Sequence, residues 1–82
     1  MNSREQIFEM LKQVLVSHFE IDESAITLDA RLYDDLDIDS IDAVDLMVKL
    51  KERTGKKLEP EVYKTIRTVR DILDALQNVL ST

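Results

Sequence analysis

Eighty-two residues with a net charge of −6 leave room for one small core and argue against nucleic acid or an anionic membrane as ligand, since phosphates must be met by an excess of Lys and Arg. The absence of cysteine excludes a disulfide framework, a thiolate zinc site and a cysteine nucleophile together. One Gly, one Pro and few aromatics, against abundant Leu, Ile, Val, Lys and Glu, favour helices over a sheet.

Ser3 followed by Gln6 is a capping-box pattern, and Ile7, Phe8, Leu11, Val14, Leu15 and Phe19 then recur on one helical face, which predicts a first helix over residues 4–18. The next nineteen or so residues show no sustained period. Connections of that length in a small domain are usually functional or disordered, and the spaced apolar residues Ile21, Ile26, Leu28, Leu32 and Leu36 favour an ordered one pinned to the core. Asp39, with Asp42 three positions on, opens a second periodic run that Gly55 closes, predicting a helix over about 40–53. Pro60 suits the first position of a short third helix carrying Val62, Tyr63 and Ile66. Thr68 with Asp71 caps a fourth, with Val69, Ile72, Leu73, Leu76 and Leu80 on its apolar face. The expected fold is all-α: a small four-helix bundle of three main helices and a short third, forming one domain over 1–82. No apolar run is long enough for stable membrane insertion, and the opening MNSREQ lacks a signal-peptide pattern, so a cytoplasmic location is expected.

The charge is focused. Residues 20–45 hold ten acids against Arg31 alone, a net −9, whereas Lys49, Lys51, Arg53, Lys56, Lys57, Lys64, Arg67 and Arg70 bring residues 46–70 to +5. The second predicted helix also has too many apolar faces. Ala43, Leu46, Met47 and Leu50 form an ordinary buried stripe, but Ile41, Val44 and Val48 fall roughly opposite, flanked by Asp45 and Glu52. A one-layer bundle cannot bury both. Isolated exposed aliphatics are common on any protein. An apolar centre ringed by carboxylates also suits a partner face on which charge guides encounter, and the stripe begins beside Ser40.

Taken alone, a Ser after an Asp at a helix start reads as a capping or first-turn residue. In context, LDIDSIDAVDLMVKLKE places Asp39-Ser40-Ile41 at the mouth of an acidic helix after a long loop, and this resembles the Asp-Ser-Leu attachment motif of acyl carrier proteins. The rest of the chain is similar to that family too, down to TVRDILDAL in the last helix. The resemblance implies that Ser40, beside Asp39, receives 4′-phosphopantetheine from coenzyme A through a separate phosphopantetheinyl transferase. The arm's thiol would then carry acyl intermediates as thioesters for fatty-acid, polyketide or related biosynthesis. It further implies a monomer without catalysis of its own. Its partners would be acyl-loading, condensing and modifying enzymes whose basic patches meet Asp39, Asp42 and Asp45. Ile41, Val44 and Val48 would form the contact centre, joined by Ile66 on the third helix, and the bundle interior would open to shelter the acyl chain.

The residue chemistry agrees with that reading. A serine hydroxyl is a poor nucleophile without an adjacent base, and the lone His18 sits on the first helix with no local relay partner, where it reads as a packing or surface residue. An arm would bring the reactive sulfur that the chain lacks. Three departures from the family pattern stand out, the mildest being Ile41 where Leu is commoner. Asp37 occupies a position usually held by Gly, although Asp tolerates left-handed backbone better than most residues. Lys49, Lys51 and Arg53 replace acids on the far half of the second helix, which leaves open a housekeeping or a dedicated, polyketide-like pathway. Two rival readings exist. A helical adaptor without a prosthetic group fits the same faces. The Asp35, Asp37, Asp39 spacing imitates a calcium loop, but the sixth position is Ser40 where Gly is needed and the twelfth is Leu46 where Glu is needed.

Overall fold

The computed structural model describes residues 3–80. Helix α1 spans Arg4–Phe19, α2 Ser40–Thr54, α3 Pro60–Tyr63 and α4 Val69–Leu80, with a single 3₁₀ turn at Glu23–Ala25. The architecture is all-helical, and the described residues contain no strand beyond an isolated bridge between Arg31 and Thr68.

Each main helix begins on a side-chain cap. The Ser3 hydroxyl accepts from the Gln6 N–H at 3.2 Å, and the Asp39 carboxylate from the Asp42 N–H at 2.9 Å. Thr68 and Asp71 cap α4 reciprocally: Asp71 N–H donates to Thr68 Oγ1 at 3.3 Å, and Thr68 N–H to Asp71 Oδ2 at 3.1 Å. The helices end as abruptly. Glu20 and Gly55 both adopt left-handed backbone, φ 54° and 74°, and return their N–H groups to Leu15 and Lys51.

Helix α1 packs against α2 and α4. Ile7, Leu11, Val14 and Leu15 meet Leu46 and Leu50 of α2 and Val69, Ile72, Leu73 and Leu76 of α4 in one apolar core. Burying one such aliphatic side chain contributes roughly 1.5–3 kcal/mol, and no polar or charged side chain among the described residues is buried to offset it. Arg4 ties the start of α1 to α4 through Asp74 at 2.8 Å and Gln77 at 2.7 Å.

The long connection is ordered, as its spaced apolar residues required. Ile26, Leu32 and Leu36 are buried, Ile21 and Leu28 pack partly against the core, and Ala30 and Ile38 join them. Its backbone is stitched to the segment entering α4. Leu32 N–H donates to Arg67 O at 3.0 Å, Val69 N–H to Ala30 O at 3.0 Å and Arg70 N–H to Leu28 O at 2.9 Å. These bonds satisfy backbone groups that burial would otherwise leave unpaired. They also hold the loop across α4's start and so fix where the chain re-enters at α2.

The third helix is shorter than its apolar spacing suggests. It stops at Tyr63, where a turn replaces helical bonding, with Thr65 N–H and its hydroxyl both donating to Val62 O. Ile66 therefore lies beyond α3 rather than on it.

Candidate functional site

Asp37 adopts φ 59°, the left-handed conformation that glycine favours and that Asp tolerates. Ile38, one residue later, is buried and donates its N–H to Leu32 O at 2.7 Å. The backbone reversal at 37 and the anchor at 38 deliver Asp39 to the cap of α2 and Ser40 to its first position.

The division of labour between those two residues is clear. The Asp39 carboxylate caps the helix, while Ser40 is exposed and its hydroxyl makes no hydrogen bond among the described residues. The N–H groups of Ser40 and Ile41 also find no acceptor there, since the first-turn bonds begin with Asp42 and Ala43. The hydroxyl thus stands beside free donors at the positive end of a helix. That setting fits a phosphodiester, whose charge the donors and dipole offset against Asp39 and Asp42. No base is positioned to activate the hydroxyl, because His18 lies exposed in the last turn of α1.

The predicted residues divide between two surfaces that share Ser40 and Val44. On one side Ser40, Ile41, Asp42, Val44, Asp45 and Val48 border a shallow groove along α2. Ile41 is 77% exposed, Val44 51% and Val48 48%, whereas Leu46, Met47 and Leu50 on the other face are buried and Ala43 partly so. The two-faced reading of α2 is borne out. On the other side Asp39, Ser40 and Val44 join Leu32, Ile38, Ala43 and Ile66 around a cavity of about 500 Å³, completed by Tyr33, Lys64 and Arg67. Ile66 is only 9% exposed, so it forms cavity wall and not the open apolar face on which the sequence had placed it. Its position past α3 turns it inward.

Sequence reasoning missed Tyr33, Lys64 and Arg67. They come from the loop and from the turn after α3, and only the stitching of these two segments brings them beside Ser40. Tyr33 is 71% exposed on a loop whose other large apolar residues are buried or partly buried.

The sequence matches the family described as the phosphopantetheine attachment site over residues 9–76. It is 43% identical over 76 residues to acyl carrier protein 2 of Ralstonia nicotianae, covering 93% of this chain and 94% of that one. Identity to the acyl carrier protein of Thermotoga maritima is 38% over 80 residues, covering 98% of this chain and 99% of that one, and to that of Petrotoga mobilis 34% over 79 residues, covering 96% and 93%. A helical bundle matched along almost its whole length by this family model and by such relatives belongs to the acyl carrier protein family: it is a non-catalytic carrier whose cofactor is phosphopantetheine.

Proposed function

We propose that Ser40 is the attachment point of the 4′-phosphopantetheine arm. The observation that carries this is the exposed, unbonded hydroxyl at the first position of α2, beside two free backbone donors and next to a cavity. The arm's thiol supplies the thioester chemistry, and the chain's residues orient and present it. Attachment is the work of a phosphopantetheinyl transferase. Its base takes the Ser40 proton, Ser40 Oγ bonds to the phosphorus nearest the pantetheine in coenzyme A, and the bond to the departing adenosine bisphosphate breaks.

The groove along α2 is the docking face for the transferase and for acyl-loading, condensing and modifying enzymes. Asp39, Asp42 and Asp45 guide a basic patch, while Ile41, Val44 and Val48 supply apolar contact at the centre. Ile66 acts from inside, as a wall of the cavity that an acyl chain would enter. We assign the carrier to the cytoplasm, as a monomer of one domain. No helix among the described residues is long and apolar enough to cross a membrane, which agrees with that assignment.

The test is intact-mass measurement after incubation with coenzyme A, Mg²⁺ and a promiscuous transferase. The expected result is a gain of one phosphopantetheinyl group in the parent protein and none in Ser40→Ala. An unchanged parent mass would favour a helical adaptor that carries no prosthetic group.

A further inference from the structure

The cavity beside Ser40 is polarised in a way that a plain hydrocarbon does not need. Its α2 wall carries the Asp39 carboxylate, and the wall formed by the turn after α3 carries Lys64 and Arg67. Between them lie apolar side chains, among them Leu32, Ile38, Ala43 and Ile66. Arg4 pairs with Asp74, Lys12 with Glu9 and Glu23, Arg31 with Asp34, and Arg70 with Asp29; Lys49, Lys51, Arg53, Lys56 and Lys57 are unpaired among the described residues but do not border this cavity. Lys64 and Arg67 have no ion-pair partner among the described residues. Arg67 is nevertheless held in place, since its Nη1 donates to Lys64 O at 2.9 Å and to Ile66 O at 3.0 Å. That leaves Nε and Nη2 free to donate elsewhere, on an exposed guanidinium that the two carbonyls partly order. A guanidinium anchored through one nitrogen, with a second cation lining the same largely apolar cavity, offers a seat for a carboxylate, which it can engage through two parallel hydrogen bonds.

We infer that this carrier is adapted to acyl groups bearing a carboxylate at the end remote from the thioester. The inference rests on Ser40 as the tether. The arm's own phosphodiester is bonded to Ser40 Oγ and so belongs to the α2 wall, with the free amides of Ser40 and Ile41. A cargo that folds back into the cavity brings its far end to the opposite wall. There Asp39 repels a second anion and Lys64 and Arg67 attract it, so the polarity sets orientation as well as affinity. A cavity of about 500 Å³ is of a size that holds small-molecule ligands.

The experiment compares two matched cargoes, octanoyl and suberyl, which have equal chain length and differ in the terminal carboxylate. Each is loaded onto the full-length apo protein from its coenzyme A thioester by a promiscuous transferase, and loading is verified by intact mass. Two readouts follow: the ¹⁵N shifts of Ile66 and Arg67, and the rate of thioester cleavage by hydroxylamine. The suberyl form is expected to move the Ile66 and Arg67 signals and to be cleaved about threefold more slowly than the octanoyl form, the factor appropriate to a partly exposed ion pair. Lys64→Gln, which touches no backbone carbonyl, should bring the two cleavage rates together, and Arg67→Lys should narrow the gap while keeping the charge. Identical shifts and rates for both cargoes would overturn the inference and leave the tether intact. Signals that move fully on attachment of the bare arm, with no further change for either cargo, would also overturn it, in favour of a phosphodiester seat. Failure of both cargoes to load would overturn the tether and the inference together.

Discussion

Replacing Ser40 and Asp39 one at a time separates the chemical role of α2's first turn from its structural role. The Ser40 hydroxyl is exposed and bonds to nothing among the described residues, so Ser40→Ala removes no interaction from the fold. Alanine is the better helix former by about 0.5 kcal/mol in a helix interior, and by less in a first turn. The variant should therefore be as stable as the parent or slightly more so. Asp39→Ala deletes the 2.9 Å bond to the Asp42 N–H and the favourable charge at the helix start, a loss of about 1 kcal/mol. For a chain of this size that corresponds to a fall in Tm of roughly 6 °C. Urea and thermal unfolding of the apo proteins by circular dichroism, with intact-mass loading assays alongside, would read both effects. The expected pattern is crossed: Ser40→Ala is stable and unloadable, while Asp39→Ala is weakened yet still carries its hydroxyl. A loss of more than about 1 kcal/mol in Ser40→Ala, or none in Asp39→Ala, would refute the assignment of the cap to Asp39 and of the free hydroxyl to Ser40.

Gly55→Ala should cost about 1 kcal/mol in urea unfolding, all of it conformational. Its φ is +74°, but an added Cβ meets nothing within 4 Å, so a much larger loss would point to contacts the structure does not contain. The two faces of α2 should respond oppositely to truncation: Leu46→Ala, fully buried, is expected to lose roughly 2–5 kcal/mol of stability, whereas Ile41→Ala should lose almost none yet bind the transferase more weakly by calorimetry. The reverse ranking would exchange core and contact face. Asp42→Asn with Asp45→Asn should slow association with a basic partner enzyme at low salt and have little effect at high salt, since exposed charges are screened beyond a Debye length. Equal association rates by stopped flow at low ionic strength would remove the electrostatic part of the docking face.

The helices and the candidate serine were legible because each depends on residues near one another in the chain. The Ser3, Asp39 and Thr68 caps, the Gly55 stop and the two apolar stripes of α2 all act within a few positions, and each appears where its local chemistry places it. Asp37 was legible for the same reason, as a residue able to stand where glycine is usual. The end of α3 was not. Val62 and Ile66 have helical spacing, but Thr65 and the Arg67 side chain compete for the carbonyls that a continuing helix would use. The cavity was also out of reach, because Tyr33 and Arg67 lie far apart in sequence and become neighbours only when residues 28–32 pair with 67–70.

The charge pattern gains meaning from the fold. The acids at the start of α2 and the cations from Lys64 to Arg67 are distant in sequence, yet Asp39, Lys64 and Arg67 border one cavity.

The five serines, Ser3, Ser17, Ser24, Ser40 and Ser81, make the central claim open to direct test. Fragmentation mass spectrometry of the fully loaded protein should place the phosphopantetheinyl group on the peptide containing Ser40 and on no other. Its appearance on any other serine would contradict the account.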